Sequence, residues 1–390
     1  MPVLLATLGV FTVSLDSAIN IALPAMAAAF GVGPATIRWI IICYVLTYAL
    51  TAFLAGVVAD RLGPTPVFTA GLGISCVAFA AFALAGSFGG VLLLRVLQGV
   101  GGGLVYGTAP ALVTLWLPRE RHGRGLGLMS LGLGAGLAIG PVLGGVLVER
   151  LGWLWVFVAR APLTGALAVL AGAMLGARPW TGAVARMLAP RDVLRAPVLN
   201  AAALAFLSNY AQFAAWLLGP FLLVSVLGLS PIAGGLFFTL MPLGTALAAP
   251  AGGWATDRIG SRGPLIAGLV IETAGLWVIS GLDVAGPLAL AALGLALVGL
   301  GAGIFQVPNL ADIMAAFPAA QQGAAGGLAF LSRTLGSAAG VQVAAMLFES
   351  RGGGVGFLEA FRFAFAAAAA ACGLAALLAV APLGWSRARR

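Results

Sequence analysis

Ionisable residues lie inside long apolar stretches of the sequence, where charges are otherwise rare. Asp16 lies in the first stretch, Arg95 in the fourth and Glu272 in the ninth. A charged side chain in hydrocarbon is unfavourable unless it is paired or hydrated, so these residues are candidates for function. We hypothesise that Asp16 takes up and releases a proton, because a nearby cation such as Arg95 favours the carboxylate whereas burial favours the acid. A permanent structural ion pair is the alternative, and Glu272 is a second candidate for protonation.

Arg160, near the start of the sixth stretch, has three interpretations. It could bind an anionic group of a substrate, pair with a carboxylate, or extend along the helix end toward water. We place it among the candidate substrate-binding residues. The other candidates are amide and aromatic side chains in the apolar stretches: Asn20, Tyr44, Tyr48, Tyr106, Asn209, Tyr210, Gln212, Phe213, Trp216, Phe305, Gln306 and Asn309. An apolar, aromatic cavity with scattered amides suits an amphiphilic organic molecule.

The composition places these residues in a membrane. Hydrophobic residues make up 62% of the chain, charged residues 8%, and the mean hydropathy is +1.10, whereas a soluble domain carries about 25% charged residues. The net charge of +9 lies mostly in short loops, which argues against a nucleic-acid partner. No nucleophile–base pair, metal-ligand spacing or phosphate loop indicates an enzyme, and we expect no cofactor or metal. Any pumping must therefore use an ion gradient.

Apolar runs long enough to cross about 30 Å of hydrocarbon divide the chain into twelve predicted helices, here called spans 1 to 12. In order, they are Leu4–Phe30, Thr36–Ala59, Val67–Ser87, Gly90–Leu117, Gly125–Glu149, Trp153–Ala177, Val198–Leu227, Ile232–Thr256, Pro264–Leu282, Pro287–Ala315, Ala324–Glu349 and Phe357–Leu383. The polar stretch in the middle predicts a six-helix bundle at 1–177, a cytoplasmic linker at 178–197 and a second bundle at 198–390. The fold class is thus an all-α membrane protein with two related halves.

The two predicted halves are copies of one another. The segment LQGVGGG at Leu97–Gly103 recurs as LVGLGAG at Leu297–Gly303, and GVVADRLG at Gly56–Gly63 recurs as GWATDRIG at Gly253–Gly260. Because the copies run in the same order, they predict parallel halves, which in known transporters place the substrate site between them.

Arginine positions predict the orientation. With both termini cytoplasmic, thirteen arginines fall in inner loops and four in outer loops or outer helix ends. This asymmetry follows the positive-inside rule and supports an even number of spans. We expect a protein of the cytoplasmic (inner) membrane of a prokaryote, and we expect a monomer, because the sequence gives no sign of obligate oligomers.

Four segments resemble the signatures of the major facilitator superfamily, most closely its drug:proton antiporter branches. They are GVVADRLG after span 2, RVLQGVGGG with Arg95, Gln98 and Gly99 in span 4, GAGLAIGPVLGG in span 5, and LDSAINIALP in span 1. The last is similar to the opening of a branch that usually has fourteen helices, from which this chain departs with twelve. It departs again at Arg160, in GWLWVFVARAP, where that branch usually has asparagine.

The resemblance implies roles for two groups of residues. The loop signatures imply a latch that holds an outward-facing state, formed by Gly56, Asp60, Arg61, Gly63, Asp257 and Arg258. A static loop fold is the alternative. The span 5 signature is built on Gly140, Pro141, Gly144 and Gly145. There a proline removes one backbone hydrogen bond and permits a bend, while the glycines form a smooth face for a partner helix. Bending and close packing are compatible, and both stay open.

The leading functional hypothesis is a secondary transporter that exports amphiphilic organic compounds in exchange for protons, by alternating access. Its partners would be a small-molecule substrate, protons or another coupling ion, and the lipid bilayer. Uptake or exchange of an organic anion or metabolite is a second hypothesis, with arginines reading the charge. A transport-inactive membrane sensor is the third, against which the latch and the span 5 glycines argue.

Overall fold

The computed structural model describes residues 2–118, 122–175, 193–283, 286–317, 322–352 and 356–380. Within these ranges the chain is helical and contains no strand. The helices that form the spans, in order, are Pro2–Ser14 with Ala18–Phe30, Pro34–Ile37 with Trp39–Leu62, Pro64–Ala81, Phe88–Trp116, His122–Leu151, Trp155–Val158 with Ala161–Leu175, Ala196–Phe221, Pro231–Ile259, Arg262–Ser280, Leu288–Ala315, Gln322–Gly352 and Phe357–Val380. We keep the span numbers for these helices.

Eleven of these spans, in the part of the chain that the structure describes, are long and apolar enough to cross a membrane. Span 11, Gln322–Gly352, is not among them, although it has 31 residues. It carries Arg333 and Gln342, which lower its hydropathy. At about 1.5 Å per residue, it is nevertheless long enough to cross the hydrocarbon. The all-helical fold class is therefore confirmed, while most of the predicted linker, 178–192, lies outside the described residues.

Prolines and glycines set several helix ends. Span 3 begins at Pro64 rather than at the predicted Val67, because proline suits the first helical position, where no N–H is needed. Gly63, just before it, has φ = +85°, and Gly260 has φ = +84° at the equivalent turn before span 9. Glycine adopts this left-handed region without steric cost. The repeated loop sequence therefore forms the same turn in both copies.

Two compact units make up the chain. One contains residues 1–184 and 228–239, and the other contains residues 185–227 and 240–390. In the first unit, aliphatic and aromatic side chains of spans 1, 3, 4 and 6 form a buried core that includes Leu5, Phe68, Val105 and Leu167. This core fixes the relative positions of the helices that carry the buried charges.

Glycines allow the helices of each unit to approach closely. A Cβ on Gly101 in span 4 would lie 2.9 Å from the carbonyl oxygen of Gly71 in span 3. In the second unit, a Cβ on Gly301 in span 10 would lie 2.6 Å from the carbonyl oxygen of Gly268 in span 9. Such contacts are too short for any larger residue. The duplication read from the sequence is thus repeated in the helix packing within each unit.

Candidate functional site

A short irregularity in span 1 carries Asp16. The α-helix changes to a 3-10 turn at Leu15–Ser17 and then resumes at Ala18. On either side of Asp16, Ser14 donates to the carbonyl of Val10 at 2.7 Å, and Ser17 donates to the carbonyl of Leu137 in span 5 at 3.1 Å. These bonds hold the turn against its neighbours. The Asp16 side chain is 14% exposed.

Arg95 in span 4 forms a two-pronged ion pair with Asp16. Its Nη1 lies 2.9 Å from Oδ1 and its Nη2 lies 3.0 Å from Oδ2. Its Nε donates to the carbonyl oxygen of Ile40 in span 2 at 2.8 Å. A charge-assisted pair with two parallel bonds is strong and fixes the orientation of both groups. The pairing expected from the sequence is thus present, and it ties spans 1, 2 and 4 together.

Gln98 bonds to both members of this ion pair. Its Nε2 donates to Oδ1 of Asp16 at 2.6 Å, and its Oε1 accepts from Nη1 of Arg95 at 2.7 Å. Gln98 lies three residues after Arg95, so both side chains project from one face of span 4. The sequence analysis noted Gln98 only as part of a signature and did not predict it as a site residue. Its spacing from Arg95 was the available signal.

Arg160 in span 6 pairs with the same carboxylate. Its Nη1 lies 3.2 Å from Oδ1 of Asp16, and its Nε donates to the carbonyl of Val156 at 3.0 Å. The guanidinium carbon lies 4.2 Å from the ring centre of Phe79, a favourable cation–π distance. The residue is 3% exposed, so extension toward water is wrong and pairing with a carboxylate is the interpretation that the structure supports. We call these four residues, Asp16, Arg95, Gln98 and Arg160, the charge cluster. In it, one carboxylate lies between two guanidinium groups.

Three tyrosines continue from the cluster along spans 2 and 4. The ring of Tyr44 lies 4.2 Å from the guanidinium carbon of Arg95 and stacks on Tyr48 with centroids 5.7 Å apart. Tyr48 meets Tyr106 edge-on at 5.2 Å. The Tyr106 hydroxyl lies 2.6 Å from the hydroxyl oxygen of Ser14, which the sequence analysis did not single out. These three candidate residues therefore lie together and border the charge cluster.

Asn20, predicted to share a face with Asp16, donates from Nδ2 to the carbonyl oxygen of Ser17 at 3.1 Å. Its side chain is partly exposed within the first unit. It therefore lies one turn beyond the charge cluster.

Span 5 packs on span 1 through its small residues. A Cβ on Gly136 would lie 2.6 Å from Cβ of Ser14, and one on Gly140 would overlap the hydroxyl of Ser17. The helix His122–Leu151 runs continuously through Pro141. The glycine face therefore serves close packing in this structure, and bending at Gly140–Pro141 stays a prediction.

In the second unit, Glu272 of span 9 is completely buried. Its Oε2 accepts a hydrogen bond from the hydroxyl of Ser208 in span 7 at 2.8 Å. Among the described residues, Glu272 accepts from a neutral hydroxyl, whereas Asp16 pairs with two arginines.

The candidate substrate residues of spans 7 and 10 are mostly buried inside this unit. Asn209 donates to the carbonyl of Ala205, and Asn309 donates to the carbonyl of Ala201, each at 2.9 Å. Both amides therefore bond to the backbone of span 7. Gln212 and Phe305 are buried, with Phe305 1% exposed, whereas Tyr210 and Phe213 are half-buried. The Gln306 side chain accepts a hydrogen bond from Arg333 at 2.8 Å. The ring centre of Trp216 lies 6.1 Å from that of Phe213. Their role in substrate binding stays a prediction.

The latch residues lie at the ends of spans 2 and 8. Arg61 and Asp257 are exposed, and the guanidinium of Arg258 lies 4.3 Å from the ring centre of Trp254. The side chain of Asp60 lies outside the described residues. The latch stays a prediction.

Comparisons with known proteins agree with this architecture. A sequence model described as the Major Facilitator Superfamily matches residues 5–210 and again residues 201–387. The Tetracenomycin C resistance and export protein of Streptomyces glaucescens is 28% identical over 413 residues, which cover 91% of this chain and 77% of that protein. The Riboflavin transporter RibZ of Clostridioides difficile is 26% identical over 386 residues, which cover 85% and 84% of the two chains.

Among solved structures, a bacterial homologue of the human lysosomal transporter Spinster, in an inward-facing and unoccupied conformation, has the same fold. It superposes with a TM-score of 0.82 at 16% sequence identity, over 97% of this chain and 95% of that one. At this identity the likeness shows the fold alone.

Proposed function

Because the chain belongs to the Major Facilitator Superfamily of membrane transporters, we propose that it exports amphiphilic organic compounds in exchange for protons, with Asp16 as the proton carrier. Export would run across the cytoplasmic membrane of a bacterium, with both termini on the cytoplasmic side and a monomer as the working unit. The observation that carries the proposal is the position of Asp16, a carboxylate within an apolar span long enough to cross a membrane, where Arg95, Gln98 and Arg160 bind it.

The charge cluster can couple protonation to a change in helix arrangement. As a carboxylate, Asp16 attracts the guanidinium groups of Arg95 and Arg160 and thereby holds spans 1, 4 and 6 together. A proton on Asp16 removes that attraction and leaves two like charges close to one another. Proton uptake then favours a different arrangement of the helices, and proton release restores the present one. This two-state behaviour is what alternating access requires.

The substrate class follows from the surroundings of the cluster. Tyr44, Tyr48 and Tyr106 form an aromatic surface beside the charges, and aromatic surfaces with few polar groups suit amphiphilic organic molecules. The relatives named for tetracenomycin C export and for riboflavin transport support an organic substrate.

A second candidate function is the uptake or exchange of an organic anion or metabolite. It is favoured by the excess positive charge of the cluster, in which Arg95 and Arg160 share the single carboxylate of Asp16. An anionic substrate group would balance that charge.

Proteoliposomes containing the purified full chain test the proposal. With an imposed pH gradient, we expect ethidium, an amphiphilic cation, to move and the internal pH to change in step. Asp16→Asn should abolish both signals, because the amide cannot carry a proton. Asp283→Asn is the matched control, since the Asp283 side chain is 66% exposed. Unchanged pH-driven movement in Asp16→Asn would remove Asp16 as the carrier, and movement of anilinonaphthalene sulfonate in place of ethidium would favour the second function.

A further inference from the structure

A cavity of about 190 Å³ lies between spans 1, 5 and 6 of the first unit. Its walls are aliphatic and include Leu15, Leu143, Leu147 and Leu163. Arg160 contributes the only polar side chain among the residues that line it. The cavity therefore combines a single cationic group with an apolar wall.

The guanidinium of Arg160 has a hydrogen-bond donor that is not used. Nε and Nη1 have acceptors, but Nη2 is buried and has no hydrogen-bond partner among the described residues. A buried donor without an acceptor is unfavourable, and more so when it is charged. The Asp16 carboxylate is also shared with Arg95. The unused donor and the excess positive charge both favour an anion as the ligand of this cavity.

We propose that this cavity binds the head group of an anionic single-chain amphiphile, of the fatty-acid class. The carboxylate pairs with the guanidinium of Arg160, which lines the cavity and has an unused donor at Nη2, and the first methylenes lie against the leucines. Leu163, 42% exposed, and Ala159, also exposed, mark the mouth of the cavity on the outer surface of span 6. Cavities that enclose drug-sized ligands measure about 300–1,000 Å³. This smaller one therefore takes the head and the start of the chain, with the remainder in lipid at the mouth.

A free inorganic anion fits less well, because aliphatic walls give it no further donors. A neutral lipid chain fits less well, because it leaves Nη2 without an acceptor. The site does not depend on proton coupling or on the direction of transport, since it requires only equilibrium binding.

The test is thermal unfolding of the purified full chain in an uncharged detergent, with decanoate, decanol, decylammonium or acetate added at equal concentrations. We expect decanoate alone to raise the unfolding midpoint, since ligand bound to the folded state stabilises it. Arg160→Gln removes the charged donor and should weaken decanoate binding by about tenfold or more. Leu163→Trp fills the mouth and should abolish the shift without changing the Arg160–Asp16 pair.

Leu170→Trp is the matched control, because Leu170 lies two turns further along span 6 and is 41% exposed but does not line the cavity. It should retain the full decanoate shift. An equal shift with acetate or decanol, or a decanoate shift that survives both Arg160→Gln and Leu163→Trp, would overturn the proposal. Asp16→Asn separates the two ideas: under the proposed function it loses coupled transport, yet it should bind decanoate at least as tightly as the parent chain.

Discussion

The guanidinium of Arg95 faces the carboxylate of Asp16 with two nearly parallel bonds of 2.9 and 3.0 Å. The pair joins the 3-10 turn of span 1 to span 4, and the remaining Arg95 nitrogen reaches the carbonyl of Ile40 in span 2. Arg95 is 1% exposed, so these bonds are not exchanged for bonds to water. The Arg95 side chain therefore links spans 1, 2 and 4 to one another.

Arg95→Lys should destabilise the protein even though it keeps the charge. An ammonium group is a point charge on a flexible stem and cannot bond to both Asp16 oxygens and to the Ile40 carbonyl together. We expect a loss of about 2 kcal/mol in the free energy of unfolding, measured as a lower thermal midpoint in detergent.

Arg258→Lys serves as the comparison for that variant. Arg258 is exposed and stacks on Trp254, and exposed cation–π pairs contribute about 0.5–1 kcal/mol. Its midpoint should change less than that of Arg95→Lys. Equal midpoints for Arg95→Lys and the parent chain would contradict a structural role for the two-pronged pair.

Tyr44 should stabilise the cluster through its ring. The ring centre lies 4.2 Å from the guanidinium carbon of Arg95, so Tyr44→Phe retains the cation–π contact whereas Tyr44→Leu removes it. We expect Tyr44→Leu to cost about 1–2 kcal/mol more than Tyr44→Phe. A double-mutant cycle with Arg95→Gln, which removes the cation, measures the coupling, and an absence of coupling between the two sites would argue against the contact.

The sequence predicted the fold class, the family and the Asp16–Arg95 pair, because each depends on a one-dimensional signal. Apolar runs mark the spans, and a charge within such a run is conspicuous wherever the helix is rotated. Repeated glycine patterns likewise predicted the duplication that reappears at Gly101 and Gly301.

The remaining contacts of the site depend on helix rotation, which the sequence does not encode in such spans. A helix that is apolar all round has no amphipathic stripe to mark the face turned toward its neighbours. Three interpretations of Arg160 were therefore open until the structure placed its Nη1 3.2 Å from Asp16. The Ser14–Tyr106 bond, 92 positions apart in sequence, was missed for the same reason.

Glu272→Gln should leave proton-coupled transport intact if Asp16 is the carrier. The glutamine amide oxygen can still accept from Ser208, which lies 2.8 Å from Oε2 in the parent protein. Glutamine has nearly the same size as glutamate, so we expect the free energy of unfolding to change by no more than about 1 kcal/mol. The measurement is the proton flux of Glu272→Gln in proteoliposomes, compared with that of Asp16→Asn. A loss of flux in Glu272→Gln at an unchanged midpoint would instead assign Glu272 a role in coupling.

Gly101→Ala should destabilise the first unit by overpacking. The new Cβ would lie 2.7 Å from the backbone nitrogen of Ser75 and 2.9 Å from the carbonyl oxygen of Gly71. Backbone atoms cannot rotate away as a side chain can, so spans 3 and 4 must separate. We expect a cost of about 1–3 kcal/mol, measured as a lower unfolding midpoint.

Gly73→Ala is the control for this packing argument, because Gly73 lies in span 3 of the same unit and its Cβ would meet nothing within 4 Å. Alanine favours a helix over glycine by about 1 kcal/mol, so this variant should be as stable as the parent chain or more so. The opposite signs of the two substitutions separate close approach from helix propensity. A midpoint for Gly101→Ala equal to that of Gly73→Ala would mean that spans 3 and 4 are further apart than the structure places them.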